Sequence, residues 1–231
     1  MRVNYLLILG CVAASLWAWN IEQQSPGFVD QYLVFSQDNL LAGRVWTLVT
    51  ALFVHASPLH LFGNMLFLFV FGNTLEKMIG RTYHLIVFFL GGFTAFLLSI
   101  PFFSPDTGML GASAAIFTLA ACIMLMKPLK FSWLFLAPQG LVAIIYFLYN
   151  VVLVYDPTLI PGLGYDPSIA YIAHIIGFTV GVPFGIVWSQ HWKKNMLITL
   201  GLLGMYLIVL ATAALLFGLS PTGLPVTKPA F

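Results

Sequence analysis

The sequence predicts an all-α polytopic membrane protein, and three observations carry that prediction. Of 231 residues, 61% are apolar and only 7% are charged. A water-soluble domain of this size cannot cover its surface with so few charges. The mean hydropathy is +0.99. The apolar residues also gather into runs of the length a helix needs to cross a bilayer, about 20 residues. Seven such runs are present, at roughly 3–19, 58–76, 82–103, 109–126, 133–154, 168–190 and 195–218.

The first run has no small-residue cleavage site before the polar "NIEQQSPG", so it is expected to remain as a helix and not to act as a signal peptide. A long connection, 20–57, follows. It contains "VWTLVTALFVH" (Val45 to His55), too short to span and too apolar to lie freely in water. Two readings fit: a segment lying in the outer leaflet against the bundle, or an ordinary interfacial helix. Short connections link the later runs. No polar domain, repeat or low-complexity linker interrupts them, so 1–231 is expected to be one membrane domain. Cys11 and Cys122 fall in separate apolar runs and read as packing residues, not as a disulfide.

Charge placement orders the runs across the membrane. With the N-terminus cytoplasmic, Arg2, Lys77, Arg81, Lys127, Lys130, Lys193 and Lys194 lie inside, and only Arg44 and Lys228 lie outside. That is the basic bias of cytoplasmic loops. Glu22, Asp30, Asp38, Asp106, Asp156 and Asp166 fall outside, and Glu76 sits at the inner end of the second run. The tail "SPTGLPVTKPAF" is then expected outside, and the cell membrane is the expected location. The small net charge of +2 gives no ground for a nucleic-acid partner.

Polar side chains are costly inside a bilayer and tend to mark function. The third, fifth and seventh runs offer little beyond Thr94, Asn150 and a few hydroxyls. His55, His84 and His191 read as interfacial. The second, fourth and sixth runs differ. His60 and Asn64 are four apart and share a helix face. Ser113 falls about 7 Å below an outer loop ending near Gly108, and His174 about 10 Å below Pro167. Ala173, Gly177, Gly181 and Gly185 make a smooth stripe on the sixth helix. Gly111, Ala114, Ala115, Thr118 and Ala121 give the fourth a small face. Such faces let backbones approach closely in lipid.

This placement points to acyl transfer. Ser113 is the candidate nucleophile and His174 the candidate general base. No carboxylate shares their depth, so a Ser–His dyad is expected. Phe117, one turn below Ser113, is placed to pack on the imidazole. Asn64, His60 and the Ser113 backbone N–H are candidate oxyanion donors, and Gly111 would let a carbonyl approach the backbone. A lone G-x-S in a membrane helix is ordinarily packing, and H-x-x-x-N alone is weak. The combination at one depth carries the reading.

These residues resemble the rhomboid family of intramembrane serine proteases, from about Gly43 to Trp188. "RVWTLVTALFVHASPLHLFGNM" is similar to the family's first-loop and second-helix block. "GNTLEKMIG" fits G-x-x-x-E-x-x-x-G at Gly72, Glu76 and Gly80. "GASA" fits G-x-S-x, and "AHIIGFTVG" fits A-H-x-x-G-x-x-x-G. The resemblance implies a rhomboid-like six-helix core, about 1–190, with a seventh helix appended at about 195–218. It implies Ser113 as nucleophile, His174 as base, and His60 and Asn64 at the oxyanion. It also implies single-span membrane-protein substrates, cut within the bilayer. No cofactor and no metal is expected. Two positions depart from the pattern. Trp46 is followed by Thr47 where the family often has arginine, and Phe117 stands where tyrosine is common. Glycines and prolines in "YDPTLIPGLGYDP" (Tyr155 to Pro167) suit a movable cap over the site. Two rival readings remain. A non-catalytic rhomboid-like protein that binds membrane helices would keep the glycine stripe without needing both Ser113 and His174. A transporter or proton channel would be expected to have intramembrane carboxylates or paired broken helices.

Overall fold

The computed structural model describes residues 2–158 and 169–217. Helix α1 spans Val3–Gln24. Three short helices follow in the long connection: α2 (Phe28–Tyr32), α3 (Gln37–Leu41) and α4 (Thr47–Thr50). Helix α5 (Pro58–Phe67) starts sharply because Ser57 accepts from the His60 N–H, at 3.2 Å, and Pro58 needs no donor partner in the first turn. One π-helical turn, Leu68–Gly72, joins it to α6 (Asn73–Ser99). Then come α7 (Ser113–Met126), α8 (Gln139–Tyr155), α9 (Tyr171–Trp188) and α10 (Trp192–Phe217).

Among the described residues, four helical runs are long and apolar enough to cross a membrane. They are Val3–Gln24, Pro58–Phe102, Tyr171–Trp188 and Trp192–Leu216, with Ser113–Met126 and Gln139–Tyr155 as shorter apolar helices. The run Pro58–Phe102 is two arms, because Gly80, at φ 82° and ψ 170°, leaves helical geometry in its middle. Each arm is about 33 Å long at 1.5 Å per residue. The chain is therefore a polytopic helical membrane protein. Only 6% of the apolar window of α10 is buried, so that helix lies on the outside. It is tied in by Asn195, whose amide donates to the Leu125 and Met126 carbonyls (2.7 and 3.2 Å) that end α7.

The Gly72–Glu76–Gly80 motif has a local physical use. Both Glu76 carboxylate oxygens accept from the first turn of α1, from Val3 N (2.8 Å) and Asn4 N (2.9 Å). An anionic group there satisfies orphan N–H donors and meets the positive end of the helix. Gly72 leaves room for the Asn4 side chain, which a Cβ would strike. Asn4 then donates to the Leu68 carbonyl at 3.0 Å.

Helix α7 occupies the centre, with every residue from Ala114 to Leu125 buried. Helix α9 lies directly on it. A Cβ on Gly177 would run into the Ala114 carbonyl oxygen and come within 3.0 Å of its carbon; one on Gly181 would meet the Thr118 carbonyl and Ala121 Cβ (2.8 Å). The Thr118 hydroxyl donates to the Gly177 carbonyl at 2.8 Å, and Cys122 Sγ to the Gly181 carbonyl at 3.4 Å.

Some boundaries differ from the sequence-based expectation. The fourth helix begins at Ser113, not near 109, because residues 107–112 descend as irregular chain. The fifth begins at Gln139, not 133, because Phe131–Ser132 and Ala137–Pro138 pair as a two-stranded hairpin. Pro138 cannot continue an α-helix interior, and Leu136, at φ 50°, turns the chain before it. The first connection packs its inner side against the bundle, with Ala51, Leu52, Val54 and His55 buried, while Trp46 and Val49 stay exposed. Most of the expected cap and all of the tail "SPTGLPVTKPAF" lie outside the described residues.

Gly177→Ala should cost about 1–3 kcal/mol, the range for overpacking a closed contact, and Gly177→Leu more. Thermal unfolding in detergent measures this; an unchanged midpoint for both variants would contradict the backbone contact.

Candidate active site

The helix pair that packs most closely also carries the two groups most suited to chemistry. Ser113 is the first residue of α7 and is half-buried. His174 lies one turn into α9 and is buried. Ser113 Oγ is 2.7 Å from His174 Nε2. Phe117 lies flat on the imidazole, 4.7 Å between centroids and 12° between planes. Tyr146 of α8 stacks on the other side of Phe117 (4.7 Å, 20°), and Phe67 of α5 stacks on Tyr146 (4.6 Å, 16°). Four helices thus contribute one ring each to a column that ends at the histidine.

His174 has a second partner. Its Nδ1 is 2.7 Å from Asn150 Oδ1, on α8. On sequence alone Asn150 is one of a few minor polar groups; in the structure it is 1% exposed and touches the imidazole. No local pattern marks it, because the group it meets lies on another helix.

The peptide leading into Ser113 is held by the first connection. Phe35 and Met109 exchange both backbone hydrogen bonds (3.1 and 2.7 Å), and Gly111 N donates to the Ala51 carbonyl at 2.7 Å. Ala112 N donates to His55 Nε2 at 3.4 Å. A ring nitrogen that accepts there leaves the proton on Nδ1, which faces Ser15 Oγ at 3.1 Å, and Ser15 passes its own hydrogen to the Phe53 carbonyl at 3.2 Å. His55 is therefore buried and structural, at 2% exposure, and not interfacial as its sequence position suggested. The burial follows from the connection folding inward, which no local pattern reveals. His84 is also fully buried, inside α6, contrary to the interfacial reading. His191 is exposed. Arg44 anchors the same connection by donating to Asn39 Oδ1 (2.9 Å) and lying 5.5 Å over the Tyr32 ring; Trp46 Nε1 donates to the Tyr32 carbonyl at 2.9 Å.

Above the serine lies a cavity of about 280 Å³, lined among others by His60, Asn64, Ser113, Phe117, Tyr146 and His174. Gly111 turns the chain at φ +103°, and a Cβ there would come within 2.9 Å of the His60 ring. Asn64 donates one amide hydrogen to the His60 carbonyl at 2.9 Å, which leaves its second amide hydrogen uncommitted by that bond. The start of α7 presents backbone N–H groups that helical geometry does not use. The cavity thus brings together a hydroxyl, an imidazole and several N–H donors, the set that acyl transfer requires. Among the described residues, no group of three or more His, Cys, Asp or Glu side chains has a geometry that could hold a metal ion.

Comparison with known proteins places these residues in a family context. The Rhomboid domain family matches residues 42–191, a stretch that contains every side chain of the site named above apart from Ser15 and the Tyr32–Asn39 anchors. The chain is similar to RHOMBOID-like protein 7 of Arabidopsis thaliana, 31% identical over 156 residues, covering 66% of this chain and 47% of that protein. It is also similar to RHOMBOID-like protein 1 of the same plant, 29% identical over 63% of this chain and 35% of that protein. RHOMBOID-like protein 6, mitochondrial, is 28% identical over 62% and 43%. The chain spans about half the length, or less, of these curated relatives.

Gly111→Ala should destabilise the protein by roughly 1–3 kcal/mol through backbone strain, with the contact to His60 added. Gly63→Ala, on the same cavity wall but with open space around it, should leave the unfolding midpoint equal or higher. Equal midpoints for Gly111→Ala and wild type would remove the argument for a glycine-specific turn.

Proposed function

Because this chain belongs to the rhomboid family, we propose that it is an intramembrane serine endopeptidase that cleaves single-span membrane proteins through the Ser113–His174 pair. The observation that carries the proposal is the 2.7 Å hydrogen bond between Ser113 Oγ and His174 Nε2, on the floor of a cavity in a membrane-helix bundle.

The steps follow from that geometry. Ser113 Oγ attacks the scissile carbonyl carbon while His174 Nε2 takes the hydroxyl proton. The carbonyl electron pair moves onto oxygen, where His60, the second Asn64 amide hydrogen and the N–H groups at the start of α7 are the candidate donors. Collapse of the tetrahedral intermediate breaks the C–N bond, and His174 delivers its proton to the departing amine. Water then attacks the acyl ester with His174 again as base; the acid fragment leaves and Ser113 regains its proton. The close contact at Gly177 and Gly181 supports this reading, because it brings α9 near enough for His174 to reach the serine.

Orientation is part of the proposal. The seven inner and two outer basic residues favour a cytoplasmic N-terminus and a site that opens toward the outside. Reporter fusions at the two termini should report opposite sides; both on one side would mean an even number of spans and would overturn the orientation.

Cleavage of a generic single-span substrate by the purified protein in detergent tests the chemistry. Ser113→Ala and His174→Ala should each abolish turnover while remaining folded, and the double variant should be little worse than either, as for residues that act as a unit. Asn64→Ala should lower kcat by about 10²–10³ if Asn64 supplies an oxyanion donor. Wild-type protein that binds membrane helices without cutting them, or turnover that survives Ser113→Ala, would favour the non-catalytic rhomboid-like alternative or another nucleophile.

A further inference from the structure

We propose that Asn150 is a positioning residue that holds His174 in a single tautomer, with its proton on Nδ1 and a lone pair on Nε2 facing Ser113. The inference rests on the reading of Ser113 and His174 as nucleophile and base.

The amide orientation is set by chemistry. One end of the Asn150 side chain lies 2.7 Å from the Tyr146 carbonyl oxygen, one turn back on α8. A carbonyl only accepts, so the NH2 group faces it. The other end, Oδ1, therefore faces His174 Nδ1 at 2.7 Å. An amide oxygen also only accepts, so Nδ1 carries the hydrogen. In the neutral ring this leaves Nε2 without one. Ser113 Oγ, 2.7 Å away, then has a lone pair to which it can donate. A base in the opposite tautomer would point an N–H at the hydroxyl and could not take its proton.

Burial strengthens the restraint. Asn150 is 1% and His174 6% exposed, so an imidazole rotated away from the amide would leave both groups with a desolvation penalty. The ring has two independent constraints. Phe117 fixes its plane, and Asn150 fixes its rotation within that plane and its tautomer. A neutral amide does this without the negative charge of a carboxylate, which is costly at membrane depth. The side chain thus supplies the third member that the sequence reading sought among carboxylates and did not find.

Selective ¹⁵N-histidine NMR of the full chain in micelles tests the inference without substrate, with His174 assigned by loss of its signals in His174→Ala. Kinetics on the single-span substrate run alongside. In wild type, His174 Nδ1 should be protonated and Nε2 should not. Asn150→Leu keeps similar volume and removes the acceptor. It should mix the two tautomers and lower kcat by about 10- to 100-fold, less than the ~10⁴ seen where a wrong tautomer is imposed, with KM little changed. Asn150→Asp keeps an acceptor and should restore most of the rate. A wild-type ring protonated on Nε2 overturns the inference even if Asn150→Leu fails to fold. So does a folded Asn150→Leu with wild-type tautomer and kcat. Failure of the protease reading looks different: the tautomer depends on Asn150, yet no cleavage depends on Ser113.

Discussion

The contact between α7 and α9 sets the geometry of the whole site. Backbone meets backbone where Gly177 faces the Ala114 carbonyl and Gly181 faces the Thr118 carbonyl, with only the small Ala121 Cβ beside the second contact. In lipid, where apolar surfaces gain little by meeting each other, such contacts are the effective source of helix association. A bulkier interface would move the helices apart by several ångströms, and a 2.7 Å hydrogen bond does not survive such a shift. The Thr118 and Cys122 side chains then satisfy carbonyls of α9 in turn with the stripe. Packing and polar pairing therefore use the same register.

A second set of interactions holds the serine's own approach. Three backbone bonds and one histidine fasten residues 109–112 to the connection that precedes α5. This is why a segment too short and too apolar for water is retained outside the bundle's main helices. Its inner side supplies acceptors to the loop before Ser113, and its outer side exposes Trp46 and Val49. The two histidine systems, at 55 and 174, have the same logic. In each, a partner on Nε2 and another on Nδ1 leave the neutral ring one consistent proton arrangement.

Much of this was legible in the sequence, for physical reasons that differ from residue to residue. Membrane spans are visible because the bilayer demands long apolar runs. Ser113, His174 and the small-residue stripe are visible because hydroxyls, imidazoles and repeated glycines are conspicuous in such runs. Asn150 was not, since its meaning depends on a neighbouring helix and no local pattern records that. His55 was missed because its connection turns inward only when the bundle is present to receive it. The starts of α7 and α8 were misplaced because hydropathy does not distinguish an apolar irregular chain or a short hairpin from a helix. Pro138 was the cue available for α8.

Helix α8 carries both Tyr146 and Asn150, one turn apart. Tyr146 forms part of the partition between the site cavity and a second opening of about 620 Å³, which Phe67 and Tyr146 also border. A rigid helix cannot move one of these residues and leave the other in place. A displacement of α8 large enough to part the Tyr146–Phe67 stack would therefore also shift the Asn150 amide against the imidazole. The ring column and the amide contact thus share one rigid support, and whatever disturbs the first disturbs the second.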